Sequence, residues 1–160
     1  MDNLIQFPKL ADVLYEFAVE VRNLYQDNLI LNNRIASGNL LNNIDFRLKI
    51  NDSAYSVIFS MEDYWWYVEN GRKAGKRPPM DKILEWIKIK PILPRPSNEK
   101  LPTPNQLAFL IARKIGEEGT EGTGDLSYSI EKVFERYREK IYTAIYDDVD
   151  NAVIKIFKYD

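Results

Sequence analysis

The feature that most restricts the fold is a helical spacing of apolar residues near both ends of the chain. After Pro8, such positions recur every three or four residues and predict a helix of about 24 residues, about 36 Å long, with one buried face. They are Leu10, Val13, Leu14, Phe17, Ala18, Val21, Leu24, Tyr25 and Leu31. A second run predicts another long helix; its members are Ile130, Val133, Phe134, Tyr137, Ile141, Ala144, Ile145, Val149, Ala152, Val153 and Ile156.

Between these helices, the apolar period changes from that of a helix to that of a strand. Alternating apolar residues at 44–50 and 55–59 flank Asn51-Asp52-Ser53, whose residue types suit a turn, so a β-hairpin is expected. The sequence therefore predicts one α+β domain over residues 1–160. Long N- and C-terminal helices would pack on a small antiparallel hairpin or sheet, connected by long loops.

Shorter segments are marked by proline and glycine. A short helix is expected after Pro79, and another from Pro104 to about Gly116, where Thr103 and Gln106 suit a capping box. The apolar residues predicted to be buried in the second of these helices are Leu107, Leu110, Ile111 and Ile115. Three loops separate the elements: a basic loop at 71–79, a Pro-rich stretch at 90–102, and a Gly-rich acidic loop at 116–125 that we expect to be mobile.

Composition excludes several kinds of chemistry. The chain has no cysteine and no histidine, so thiolate chemistry and any Ser-His-Asp site within it are impossible. The net charge of −2 argues against a whole surface adapted to nucleic acid. No signal peptide and no membrane span are predicted. The acidic loop matches no calcium-binding spacing and its glycines match no nucleotide fingerprint, so neither a metal nor a cofactor is expected.

An enzyme is a third interpretation of this sequence. The carboxylates of Glu62 and Glu69 are the pair that an acid–base enzyme would use, but nothing besides their charge distinguishes them. No catalytic residue is predicted.

Four consecutive aromatic residues, Tyr64, Trp65, Trp66 and Tyr67, form the most unusual segment. Four rings in a row cannot all face one core on either a helix or a strand. In one interpretation, two rings anchor the core and the others cover the Pro-rich stretch. In the other, one or two are interface anchors, because Trp and Tyr dominate binding hot spots.

The basic loop that follows concentrates positive charge. Arg72, Lys73, Lys76 and Arg77 place four cations within six residues. One interpretation is a solvated loop. The other is a flexible basic finger, held by aromatic residues before it and prolines after it, that docks on an acidic neighbour or on phosphate.

The aromatic and basic segments together carry a resemblance to a known family. Tyr64, Trp65, Tyr67, Val68, Glu69 and Gly71, followed by RKAGKRPP, resemble the Y-W-x-Y-V-E-x-G segment and basic loop of head–tail connector proteins of tailed bacteriophages. These are also called neck, head–tail joining or tail-completion proteins. The order of a long helix, a hairpin and this segment is similar to theirs. The run from ILEWIKIKPILPRP to LAFLIARKIGEEGT, and the final helix, resemble the versions in phages of gut Bacteroidetes.

The resemblance implies a structural virion protein that forms a ring in the phage neck, beneath the portal. It implies a homo-oligomer of six- or twelve-fold symmetry, with portal, connector and tail proteins as neighbours and possible contact with packaged DNA. The protein would be found in the virion, and in the host cytoplasm during assembly. The expected interface residues are Trp65, Trp66, Tyr67, Arg72, Lys73, Lys76 and Arg77. The alternative is a nucleic-acid-binding module that uses the basic segment 72–77.

Overall fold

The computed structural model describes residues 6–51, 54–90, 92 and 101–158. Long terminal helices and a small antiparallel sheet confirm the predicted α+β class. In chain order, the elements are α1 (Pro8–Leu31), α2 (Asn39–Asn42), β1 (Asp45–Asn51), β2 (Ala54–Ser60), α3 (Trp65–Asn70), β3 (Gly71–Arg72), α4 (Met80–Ile89), α5 (Pro104–Glu118), β4 (Thr120–Glu121) and α6 (Asp125–Phe157).

The chain divides into two compact units. Unit 1 contains the chain up to Asn28, the segment Ile44–Met61 and everything from Asp125 onward, whereas unit 2 contains Leu29–Asn43 and Glu62–Gly124. Each unit is thus assembled from segments that are distant in sequence. The single domain expected over residues 1–160 stays a prediction.

In unit 1, α1 and α6 lie antiparallel along one another. The ring of Phe17 contacts that of Tyr137 edge-on, with centroids 6.0 Å apart, and Asn28 near the end of α1 donates a hydrogen bond to Ser129 near the start of α6. Both helices contribute fully buried apolar side chains, as the periodicity predicts. The buried apolar residues of this pair are Ala18, Val21, Tyr25, Leu126, Val133, Tyr137 and Ala144.

The hairpin packs on α1 through aromatic rings. Strands β1 and β2 pair in antiparallel register from Asp45 opposite Ser60 to Asn51 opposite Ala54. The ring of Phe46 on β1 meets that of Tyr15 in α1 edge-on, with ring centroids 5.2 Å apart. The hairpin prediction is confirmed, although Asp52 and Ser53 of the expected turn lie outside the described residues.

The predicted apolar face of α6 is wrong in part. Val133, Tyr137 and Ala144 are buried, but five other members of the set are exposed. Positions spaced by three and four drift around a helix with 3.6 residues per turn, so a set extending over seven turns covers a wider arc than one neighbouring helix can bury. The exposed members are Ile130, Phe134, Val149, Val153 and Ile156.

In unit 2, α4 packs against α5. The capping box at the start of α5 is confirmed: the Thr103 hydroxyl accepts from the Gln106 N–H, and the Gln106 side chain accepts from the Thr103 N–H. Burial on α5 differs from expectation, because Leu110 is 44% exposed. The closest packing instead uses small residues one turn apart, which allow another chain segment to approach the helix. These residues are Ala108, Ala112 and Gly116.

The Pro-rich stretch 90–102 is largely beyond what the structure describes. Only residues 90, 92, 101 and 102 of it are included. Its expected extended conformation therefore stays a prediction.

Candidate functional site

The four aromatic residues lie on and just before α3 in unit 2. Tyr64 precedes the helix, and its hydroxyl accepts a hydrogen bond from the backbone N–H of Leu40 at 2.9 Å. Trp65 is half-buried and meets Trp66 edge-on, with ring centroids 5.5 Å apart. Tyr64, Trp66 and Tyr67 are exposed by 42%, 55% and 52%. None of the four rings is buried, so the interpretation in which two of them anchor the core is wrong, and most of the Pro-rich stretch that the others would cover lies outside the described residues.

The basic loop begins later than predicted, because its first two residues form β3. Strand β3 pairs with β4, with Gly71 opposite Glu121 and Arg72 opposite Thr120. A Cβ atom on Gly71 would collide with the Thr120 carbonyl oxygen, and one on Gly119 would collide with the Arg72 carbonyl oxygen. Both glycines have φ in the left-handed region, at 72° and 78°. The crossing of these two segments thus requires glycine on both sides.

Beyond β3, the basic loop is attached to α5. The Gly75 N–H donates to the carbonyl of Gly116 at 2.8 Å, and Pro78 is buried. Arg77 passes so close to Gly116 that any side chain there would meet it, and its guanidinium lies 5.6 Å from the centre of the Phe109 ring. These contacts attach the segment to α5 at Gly75 and Arg77, whereas the flexibility of the predicted basic finger stays a prediction.

The four cations divide into two kinds. The guanidinium of Arg72 lies 5.1 Å from the centre of the Tyr67 ring, so it and Arg77 are each placed on an aromatic face. Lys73 and Lys76 are exposed and make no ion pair with any described carboxylate. Two cations therefore stay available for a partner.

A cleft of about 290 Å³ opens beside the aromatic residues. Its walls include the rings of Tyr64, Tyr67 and Trp86. Two cations, Arg34 and Lys90, also line it, together with the carboxylate of Glu121. Lys90 directs one donor to the Asn33 carbonyl at 2.7 Å, and the Arg34 side chain has no hydrogen-bond or ion-pair partner among the described residues. The cleft is an aromatic pocket with an excess of positive charge.

Of the predicted interface residues, only Tyr67 lines this cleft. Arg72 reaches its edge through the Tyr67 ring, whereas Trp65 and Trp66 occupy other sides of α3. Lys73, Lys76 and Arg77 lie further along the loop toward α5. Sequence reasoning missed Arg34, Trp86 and Lys90, because no local pattern distinguishes them and only tertiary folding brings them beside Tyr67.

The segment 116–125, predicted to be a Gly-rich acidic loop, is mostly regular structure, so the irregular part is shorter than predicted, and its mobility stays a prediction. Helix α5 continues to Glu118. Its last turn is supported by ion pairs of Glu117 with Arg113, at 3.8 Å, and of Glu118 with Lys114, at 3.7 Å. Strand β4 follows, and Asp125 is a buried residue at the start of α6. Among the described residues, no group of three or more acidic side chains is placed to hold a metal ion.

Of the two carboxylates considered for catalysis, Glu62 precedes α3 and Glu69 lies in its last turn. Glu62 accepts a hydrogen bond from the Asn43 side chain at 2.6 Å, and Glu69 is buried in the last turn. Their involvement in chemistry stays untested.

Comparison of the chain with protein-family models, with curated proteins and with solved structures finds no match. The helices in the described part of the chain are all too short or too polar to cross a bilayer.

Proposed function

We propose that this chain is a structural subunit of the neck of a tailed bacteriophage, forming an oligomeric ring that joins the portal of the head to the tail. It acts by docking on neighbouring proteins and not by catalysis. Its partners are further copies of itself and the portal, connector or tail proteins on either side, with possible contact with packaged DNA. It resides in the virion and, during assembly, in the host cytoplasm.

The observation that carries the proposal is the exposed aromatic and basic surface of unit 2. Trp66 and Tyr67 expose more than half of their area, and Lys73 and Lys76, further along the same segment, are exposed and lack ionic partners among the described side chains. Large exposed rings and unpaired charge on one short segment are typical of protein-docking sites, where the rings supply affinity and the charges supply orientation. The resemblance to connector proteins lies on this same segment.

Electron microscopy of the parent particles tests the assignment. We expect a tag on this chain to be seen at the junction of head and tail, in one ring per particle. A double reversal, Lys73→Glu with Lys76→Glu, is expected to give separate heads and tails. Lys82→Glu with Lys88→Glu makes the same charge change on exposed positions of α4 and serves as the control. A tag distributed over the capsid, or absent from particles, would contradict the proposal.

The second candidate is binding of nucleic acid through the basic segment 72–77. The exposed Lys73 and Lys76 favour it, since exposed cations without ionic partners among the described residues suit a phosphate backbone. Binding of an oligonucleotide that weakens steeply with added salt, and that is lost on reversal of these two lysines, would support this candidate. If the chain is instead a neck protein, the same reversal should impair protein assembly, and the unmodified chain should not bind the oligonucleotide in this way.

A further inference from the structure

The outer face of α6 in unit 1 combines aromatic residues with negative charge. Tyr142 and Tyr146 are exposed by 54% and 78%, and Val153 by 43%. Glu139 and Asp150 are exposed and lie at the same helical spacing of three, four and seven residues, so all five share one side of the helix. The residues that α6 buries in its own unit lie on the other side.

This face has no partner in the described part of the chain. Neither Glu139 nor Asp150 takes part in an ion pair or hydrogen bond, and the two tyrosine rings make no aromatic contact. This helical face exposes two large aromatic rings together with two carboxylates that have no ionic partner, and aromatic residues with a polar tip are enriched at interfaces.

The cleft of unit 2 has the complementary chemistry. Its aromatic walls are Tyr64, Tyr67 and Trp86, and its unbalanced charge comes from Arg34 and Lys90. The helical face supplies aromatic residues and an excess of negative charge, and the cleft supplies aromatic residues and an excess of positive charge. Such pairing orients two surfaces and disfavours contact of either surface with itself.

We propose that the outer face of α6 in one copy of this chain docks against the cleft of unit 2 in the next copy. The two surfaces are different, so the contact is heterologous, and repetition of a heterologous contact generates a ring when the rotation closes. The inference rests on the proposed function and names the occupant of its site as a second copy. Tyr146, the most exposed ring of the face, is the anchor that the aromatic walls receive.

Reciprocal charge reversal tests this contact. One variant reverses the cleft, with Arg34→Glu and Lys90→Glu, and a second reverses the face, with Glu139→Lys and Asp150→Lys. Each alone places like charges opposite one another, so we expect self-association in sedimentation velocity at low salt to weaken at least about tenfold. An equimolar mixture of the two variants restores opposite charges at every contact and is expected to recover it. A single chain carrying all four changes should recover it as well.

Controls separate this contact from the other possibilities. The variant with Lys82→Glu and Lys88→Glu should associate as the unmodified chain does, and unchanged circular dichroism verifies folding of each variant. No self-association of the unmodified chain at any concentration, or no recovery in the mixture, overturns the inference. The inference is also overturned if the chain binds an oligonucleotide, and if this binding is lost in the cleft variant but unchanged in the face variant. If loss of Lys73 and Lys76 prevents assembly while reversal of the α6 face does not, the proposed function stands and this contact is wrong.

Discussion

The carboxylate of Asp148 accepts a hydrogen bond from the backbone N–H of Leu10 at 2.9 Å, across 138 residues of sequence. Its other oxygen lies 3.3 Å from the backbone nitrogen of Lys9, which also donates to it. These amides belong to the first turn of α1, which leaves its N–H groups without partners inside the helix. A buried residue near the end of α6 therefore completes the start of α1 and joins the two long helices of unit 1.

Replacing Asp148 with Ala is expected to lower the free energy of unfolding by about 1–3 kcal/mol, because two amides at the start of α1 lose their acceptor in a buried place. Urea denaturation followed by circular dichroism measures this. Asp147→Ala is the matched control: its carboxylate forms an exposed ion pair with Lys9 at 2.7 Å, and loss of an exposed pair should lower the free energy of unfolding far less than loss of the cap. Equal effects of the two substitutions would contradict the capping role.

The hydrogen bonds of Asp148 also show where sequence reasoning ends. The extent of α1 is predicted correctly because its apolar spacing and Pro8 are local signals, and the capping box of α5 is predicted for the same reason. Nothing local marks Asp148 as a cap, since it lies inside one helix and its carboxylate caps the start of another. The prediction of Leu110 as buried fails similarly, because the neighbour that packs on α5 selects its small residues.

In the candidate site, too, features with a local sequence signal are predictable, and features that depend on tertiary contacts are not. Its exposed rings and lysines are predictable because four consecutive aromatic residues and a cluster of cations are anomalies within one short window. The cleft is not predictable, because Arg34, Trp86 and Lys90 come from different elements and meet Tyr67 only after folding. The crossing of β3 and β4 depends on Gly71 and Gly119, and the attachment of the basic loop to α5 depends on Gly116, because these glycines allow other chain segments to approach closely.

Gly119 provides a direct test of the attachment between β3 and β4. Gly119→Ala is expected to destabilise unit 2, since its Cβ would collide with backbone atoms of β3 and the residue would also be held at positive φ. Gly124→Ala is the control, because Gly124 also has positive φ, at 64°, but open space around its Cβ. Hydrogen exchange at the amides of β3 and the basic loop should accelerate in the first variant far more than in the second. Similar exchange in both would show that steric closeness is not what holds the crossing.

The isolated chain is expected to be folded and only weakly self-associated at micromolar concentration. The contacts proposed for assembly are charged side chains and exposed rings, whose ordering on binding costs free energy and whose attraction is screened by salt. We expect assembly on a neighbouring protein to supply the additional contacts that the proposed ring needs. Light scattering across a concentration series measures this. A tight ring at micromolar concentration without any other protein would contradict the prediction.

Charge reversal in the basic segment separates the residues that hold the fold from those that face a partner. Lys73→Glu and Lys76→Glu are expected to change the free energy of unfolding by less than about 0.5 kcal/mol each, since both side chains are exposed and unpaired among the described residues. Arg72→Glu and Arg77→Glu should lower the free energy of unfolding more. The guanidinium of Arg72 packs on the Tyr67 ring and that of Arg77 on the Phe109 ring, and each substitution removes that packing.

Assembly should depend more on the two lysines than on the two arginines, although the arginine changes lower the free energy of unfolding more. Reversal of the two lysines converts attraction to an acidic neighbour into repulsion, so heads and tails should accumulate unjoined although the chain is fully folded. Added salt should relieve the defect only in part if the contact excludes water, because buried charge is screened little. Thermal denaturation of each variant, with counts of joined and unjoined particles, measures both effects. Normal yields of infectious particles from the lysine variant would show that Lys73 and Lys76 are simply solvated, and that the basic segment docks on nothing.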